Sequence, residues 1–318
     1  MNEERPRPIR RSTTPDHTST VNNERIVFTA ADRVVKRKRK NVNHGRQFVD
    51  DKNRAIIELV TAYGWLSRFQ IAEYFGLPPA TVHRRAHKLA ALGLLNQDSR
   101  GTSGEVLYLA TRAGMRFVGM AGFKLTTPTP QLMNHTEGLF AAGLRFGESP
   151  LRHGIVITER EIDAAVTSGT LSPRIQRLAP WAQSQFEGRF ATWRPAADPI
   201  SGSGKGFKRP DMLLIREGLL PTVVELEITQ KSTIQQYVRI LETYDRAQKA
   251  GDFANPIIYV TVEVAGNHND IKKALETALA SANHIHKMKV EFLVFNISQG
   301  HWNPRSAQNG WFRKGTRA

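Results

Sequence analysis

Three carboxylates in the second half of the chain have the types and spacing to work together. Val224-Glu225-Leu226-Glu227-Ile228 alternates apolar and acidic residues. An extended strand therefore turns Glu225 and Glu227 to one face and Val224, Leu226 and Ile228 to the other. Asp211 opens the preceding apolar run, directly after Arg209-Pro210. A hairpin between the two runs would bring all three acids to one end of a sheet. An all-oxygen set of this kind suits Mg2+ or Mn2+, hard ions that accept carboxylates and keep several waters. Such an ion can activate water and stabilise charge growing on a phosphate. Lys231, just past the strand, is placed to meet a phosphate or a leaving oxygen. Acidic residues on a solvated sheet face fit the same spacing, so both readings stand at this point.

Other reactive side chains are sparser. Asn134-His135-Thr136-Glu137 supplies an imidazole and a further acid; His135 lies one turn before Leu139, which suits either a hydrogen-bonded core histidine or an active-site group. Tyr237 and Tyr244 invite comparison with tyrosine nucleophiles, but they share a helical stripe with Ile234, Val238 and Leu241, so packing is the expected role. Zero cysteines exclude disulfides, Cys-ligated zinc and thiol catalysis together. The 10 histidines lack the clustered spacing of a histidine metal triad, and Lys231-Ser232 follows no glycine-rich phosphate loop.

The elements that must position these groups follow from the hydrophobic period. A helix is predicted over about Gln131–Phe146, then a strand over Gly154–Ile162 and an irregular stretch over 163–208 ending in Ser201-Gly202-Ser203-Gly204-Lys205-Gly206. Strands follow at Asp211–Ile215 and Thr222–Ile228, then a helix at Thr233–Lys249, a strand at Pro256–Val262, a helix at Asn269–Ala282 and a strand at Val290–Asn296. The order α-β-β-β-α-β-α-β implies a mixed α/β sheet.

Ahead of it the pattern is helical. Asp51–Tyr63 carries Ala55, Ile56, Leu59 and Val60 at helical spacing, and Arg68–Phe75 makes a second short helix. Gly76-Leu77-Pro78-Pro79 is the turn, and Pro79 suits the first turn of a third helix running to about Leu92. On that helix Val82, Ala86, Leu89 and Leu92 form the inner stripe, leaving Thr81, Arg84, Arg85 and Lys88 for the outer face. A helix so charged fits the DNA major groove, where Arg reads guanine edges and Lys or Thr holds phosphates. Leu94-Leu95-Asn96, a polar segment with Gly101 and Gly104, and Val106–Leu109 read as a hairpin wing with Arg100 at its tip. Thr111 caps a short helix at Arg112–Val118, and Thr126-Thr127-Pro128-Thr129-Pro130 is the joint between the two parts.

The formal net charge of +16 sits mainly at the ends. Residues 1–48 hold 12 Lys/Arg against 5 Asp/Glu and residues 301–318 hold 4 Lys/Arg with no acid, which leaves a surplus of only 5 for the residues between. Both ends read as basic tails, the first a disordered arm whose densest piece is Lys36-Arg37-Lys38-Arg39-Lys40. Such tails suit a polyanion, because each phosphate contact releases condensed counterions. No apolar run approaches a membrane span and no apolar signal segment opens the chain, so a cytoplasmic, nucleoid- or plasmid-associated location is expected. The division read from the sequence is a basic arm at 1–48, a winged helix at 49–125, an α/β domain at 131–298 and a basic tail at 299–318.

Pro210-Asp211 followed by Glu225-Leu226-Glu227 resembles the PD-(D/E)XK fold of restriction endonucleases, with Glu227 where that family usually carries Lys and Lys231 only a displaced substitute. The resemblance implies that Asp211, Glu225 and Glu227 bind metal and that Glu137 adds an acid from the first helix. A closer resemblance spans nearly all of residues 50–296. Its pieces are Tyr108-Leu109-Ala110-Thr111-Arg112-Ala113-Gly114, the helix with His135 and Glu137, Ile157-Thr158-Glu159-Arg160-Glu161-Ile162, Arg209-Pro210-Asp211 and Glu225-Leu226-Glu227-Ile228-Thr229. These are similar to the replication-relaxation family, itself similar to MOBC-type relaxases of mobilisable plasmids. The family resemblance implies an origin of transfer or replication as the target. It implies double-stranded DNA as partner, single-stranded DNA after nicking, and relaxosome or replication proteins. The expected activity is a metal-dependent relaxase or nickase; the alternative is a non-catalytic initiator, accessory factor or regulator on a nuclease-like fold.

Overall fold

A computed structural model of the protein describes residues 49–99, 105–147, 154–186, 189, 209–228, 230–254, 257–262, 267–282, 288–295 and 312–313. Met1–Val49 and Asp50–Ala318 are separate units, and every element below lies in the second. Lys36–Lys40, Arg100 and the glycine-rich 201–206 fall outside the described residues.

The first part is a winged helix built from strong local signals. α1 (Asp51–Tyr63) starts where the Asp50 carboxylate accepts the Asn53 N–H at 2.7 Å. A short strand, β1 (Trp65–Ser67), leads into α2 (Arg68–Phe75), whose start is a reciprocal capping box between Ser67 and Gln70. Gly76, left-handed at φ 63°, ends α2, and α3 (Pro79–Ala91) opens on Pro79. β2 (Leu95–Asp98) and β3 (Leu107–Ala110) pair antiparallel, with Leu95 opposite Ala110 and Asp98 opposite Leu107. β1 takes the other edge of β3, giving the order β1-β3-β2. The hairpin was expected and β1 was not. Ile56, Leu59, Val60, Ile71, Val82, Ala86 and Leu89 fill the core, each fully buried. α4 (Arg112–Phe117) is capped by Thr111, and Gly114 within it lies so close to β2 that a Cβ there would stand 2.1 Å from the Leu94 carbonyl oxygen. Only glycine allows that approach.

The second part is the expected mixed sheet with an unexpected helical insertion. α5 (Pro130–Arg145) is followed by β4 (Ile155–Thr158), and the strand predicted to run on to Ile162 stops there. Thr158 and Glu161 form a capping box that turns the chain into α6 (Glu159–Ser168). The stretch read as irregular holds the rest of α6 with α7 (Pro173–Leu178) and α8 (Ala182–Phe186). β5 (Met212–Ile215) and β6 (Thr222–Glu227) form the hairpin; α9 (Ile234–Lys249), β7 (Ile257–Val262), α10 (Asn267–Ser281) and β8 (Val290–Phe295) complete the alternation. A short β9 (Phe312–Arg313), within the segment read as a tail, adds to β8. The sheet order is β4-β5-β6-β7-β8-β9, with β6, β7 and β8 parallel and the remaining pairs antiparallel.

Helices cover both faces of this sheet. α6 to α10 pack on one face, where Ile157, Leu213, Val223, Ile257 and Tyr259 share a core with Ile175, Tyr237, Leu241 and Leu275. α5 covers the other at β6, so closely that a Cβ on Gly138 would meet the Leu226 side chain at 2.8 Å. The two parts are also fastened together. Thr158 Oγ1 donates to the Ala62 carbonyl at 2.9 Å, the Arg177 guanidinium clasps the buried Glu58 carboxylate, and Met133 of α5 packs on Trp65 and Leu107 under the winged-helix sheet. Among the described residues no helix is long and apolar enough to cross a membrane.

Candidate nucleic-acid interface and the acidic cluster

α3 presents a narrower outer face than its composition implies. Each residue turns the helix by about 100°, and Val82, Ala86 and Leu89 set the inward direction. The exposed residues opposite are Ala80, His83, Arg84, His87, Lys88 and Ala91. Arg84 and Lys88 are therefore free to reach a ligand, as expected. Thr81 is half-buried on the flank. Arg85, three residues past Val82, stands only about 60° from the buried stripe and turns inward instead. Its Nη1 donates to Asp50 at 3.1 and 2.8 Å and to Asn53 Oδ1 at 3.0 Å. Burial alone would raise the Asp50 carboxyl, but the Arg85 hydrogen bond, the Asn53 N–H and the charges of Arg85 and Lys88 hold it below its ordinary value. Arg85 thus ties α3 to the start of α1 and does not stand exposed with Arg84 and Lys88 as the helical spacing implied.

Two histidines take the place that Arg85 leaves. His83 and His87 lie one turn apart, with ring centroids separated by 6.3 Å. His83 Nδ1 stands 2.9 Å from the hydroxyl of Tyr108 on β3, so the recognition helix touches the wing through that ring. Burial pushes the Tyr108 phenol up, with Arg68 opposing. Their i, i+4 spacing beside Arg84 and Lys88 was the available sequence signal.

The acidic residues of the sheet gather only in part. Asp211 lies one residue ahead of the register Met212↔Val224, which sets it opposite Glu225 across the hairpin. Its Oδ2 accepts the Leu226 N–H at 2.8 Å, and its Oδ1 lies 3.6 Å from His135 Nε2 on α5. Burial alone would push the His135 imidazole down. The Asp211 hydrogen bond and the charges of Asp211, Glu159 and Glu225 outweigh it and hold the ring above its ordinary value. Glu225, 2% exposed, accepts a hydrogen bond from the Tyr244 hydroxyl of α9. Tyr244 and Tyr259 are both raised well above the ordinary phenol, by burial first and then by nearby carboxylates that include Glu225 and Asp211. The Tyr259 hydroxyl, buried on β7 beside Glu225, has no hydrogen-bond partner among the described residues.

Glu227 and Lys231 pair with each other. Lys231 Nζ pairs with Glu227 Oε2 at 2.5 Å and lies over the Tyr237 ring at 5.5 Å, so this lysine neutralises an acid of its own chain. Glu137 lies near Glu105: burial, with the charge of Glu105 at the base of the wing adding, pushes its carboxyl up to about 7. Among the described residues no three of His, Asp and Glu are disposed to hold a metal ion. The donor set gives the reason. Asp211 is engaged by a backbone N–H and faces His135, Glu225 by a phenol and Glu227 by an ammonium. As folded, Asp211, Glu225 and Glu227 are each engaged within the chain and are not disposed to share one ion. Of the positions read as catalytic, His135, Asp211 and Glu225 are brought together, Glu227 is paired with Lys231, and Glu137 lies near Glu105.

Residues 55–99, from within α1 to just past β2, match the IclR helix-turn-helix domain. No curated protein and no solved structure gives a match to the chain. The protein carries a winged helix-turn-helix DNA-binding domain, and double-stranded DNA is its ligand.

Proposed function

We propose that the chain is a site-specific double-stranded DNA-binding protein that acts at an origin of transfer or replication of a plasmid or conjugative element. The observation that carries the site-specific part is the outer face of α3, where Arg84 and Lys88 stand exposed over a rigid, fully buried inner stripe. The origin is supported by the resemblance to the replication-relaxation family. α5, β4, β5, β6, α9, β7, α10 and β8 follow the order α-β-β-β-α-β-α-β on which the nuclease-like reading rests, with α6, α7 and α8 inserted after β4. The basic arm and tail would add sequence-independent phosphate contacts.

Selection of bound duplexes from a random pool, with footprinting on the recovered site, tests this reading. Arg84→Ala should weaken the selected site by about 1–3 kcal/mol and relax one base position, whereas Lys88→Ala should weaken all duplexes alike and lower the salt slope by about one. Equal affinity for selected and random duplexes would refute site specificity.

A metal-dependent strand nickase at the same origin is the second reading. It is favoured by Asp211, Glu225 and His135 meeting beside the Tyr259 hydroxyl, which has no hydrogen-bond partner among the described residues. An ion there would have to displace the protein's own donors. Supercoiled plasmid carrying the selected site, incubated with Mn2+ or Mg2+ and compared with Asp211→Ala, separates the readings. Metal-dependent nicking lost in the variant establishes the nickase, and intact plasmid leaves the binding protein.

A further inference from the structure

The two histidines of α3 lie outside the stripe and the ion pair that anchor that helix; one is oriented by the wing strand and both are exposed. The inner stripe that anchors α3 is Val82, Ala86 and Leu89, and the tie to α1 is Arg85. His83 and His87 contribute to neither. The Tyr108 hydroxyl engages His83 Nδ1, which leaves the opposite ring nitrogen, Nε2, as the free hydrogen-bonding atom of that ring. By the helical turn His83 lies about 100° from the inward direction and His87 about 140°. His87 is therefore near the middle of the exposed face with Arg84, while His83 is at its edge beside the wing strand.

We propose that His83 and His87 contact DNA as imidazolium groups, His83 at a backbone phosphate and His87 at a base edge, so that DNA binding takes up protons. This rests on α3 being the helix that reads DNA. A charged imidazole donates from both nitrogens, which suits phosphate oxygens and the N7 and O6 acceptors of guanine. Arg84 and Lys88 flank the pair on α3, and Arg68 at the head of α2 lies by Tyr108. Asp50 before α1 is taken up by Arg85, and β2 ends in Asp98. A polyanion laid against this face supplies counter-charge. The gain is complete where the free imidazoles are already charged and is lost at higher pH, where even the DNA-bound rings are neutral.

The test uses the full-length protein and a labelled duplex of mixed sequence, about three helical turns long. Anisotropy is followed from about pH 6 to 8.5 at constant ionic strength. Affinity should fall as pH rises, by up to roughly tenfold per pH unit for each proton taken up on binding. His83→Gln with His87→Gln keeps hydrogen-bonding side chains that do not titrate, and should flatten the profile. His87→Gln alone should change the preferred sequence, and His83→Gln alone should weaken all duplexes equally. Imidazole C–H resonances, titrated with and without duplex, give a readout independent of affinity and should move for both rings.

A wild-type profile that is flat with pH, a double variant that keeps the slope, or imidazole titrations unmoved by DNA would each overturn the proposal. Failure of the wild type to bind duplex at all would instead overturn the DNA-reading role of α3.

Discussion

Arg160 closes the end of α1: its Nε donates to the Thr61 carbonyl at 3.0 Å. The same guanidinium donates to Thr126 Oγ1 and to the Lys124 carbonyl, each at 2.6 Å, and lies over the Phe123 ring. One side chain from the start of α6 therefore satisfies a last-turn carbonyl of α1 and pins the segment that links the two parts. Glu159, its neighbour, donates its N–H to the Asp211 carbonyl at 2.8 Å. The DNA-binding helices and the acidic cluster are thus held to the same short stretch, Thr158-Glu159-Arg160.

Replacing Arg160 by Ala should cost about 1–3 kcal/mol, since several charge-assisted hydrogen bonds are lost and the carbonyl of buried Thr61 loses a donor. Arg160→Lys should recover only part of this, because an ammonium cannot span three separated acceptors. Urea unfolding gives the magnitude, and hydrogen exchange should show faster opening at the last turn of α1. Unchanged exchange there would mean that the clasp does not stabilise the helix end.

Glu137 predicts a pH effect of unusual sign. Its carboxyl is pushed up to about 7, first by burial and then by Glu105, whereas an unfolded Glu titrates near ~4.3. The folded state thus holds this proton more tightly. Its contribution to stability is full below the unfolded value and is lost as pH rises through about 7. Glu137→Gln mimics the protonated form, so it should raise stability at about pH 8 by roughly 1–3 kcal/mol and change little near pH 4. Urea midpoints at the two pH values decide; equal effects at both would place the shift elsewhere.

Tyr244 and Tyr259 should respond oppositely to loss of their hydroxyls. Tyr244 donates to the buried Glu225, so Tyr244→Phe removes a donor from a carboxylate out of reach of water and should cost about 2–3 kcal/mol. The Tyr259 hydroxyl has no partner among the described residues, so Tyr259→Phe should leave stability unchanged or raise it by about 1 kcal/mol. Thermal melts of the two variants side by side test the contrast. A large loss in Tyr259→Phe would show that its hydroxyl has a partner after all.

Much of the winged helix was legible because its signals are local. Asp50, Ser67 with Gln70, Gly76 and Pro79 are caps and breakers that act within a turn or two, and α1 and α2 have the bounds predicted for them. β1 was not legible. Three buried residues, Trp65–Ser67, carry no alternation, and only their partner β3, some forty positions away, makes them a strand. α6 was legible in principle: Thr158-Glu159-Arg160-Glu161 is a capping-box pattern, but the apolar residues on either side masked it as a longer strand.

By itself the sequence determined the helix-turn-helix, the alternation of strands and helices from β5 to β8, and the side of β6 that carries Glu225 and Glu227. Each depends on a period or a cap that neighbouring residues enforce. The tertiary structure decided what those side chains do. Whether a carboxylate is open to a ligand depends on which donors the packed helices bring to it. α9 brought Tyr244 to Glu225, α5 brought His135 to Asp211, and the loop after β6 brought Lys231 to Glu227. The same holds on α3, where the packing of α1 drew Arg85 inward and left His83 and His87 on the exposed face with Arg84 and Lys88.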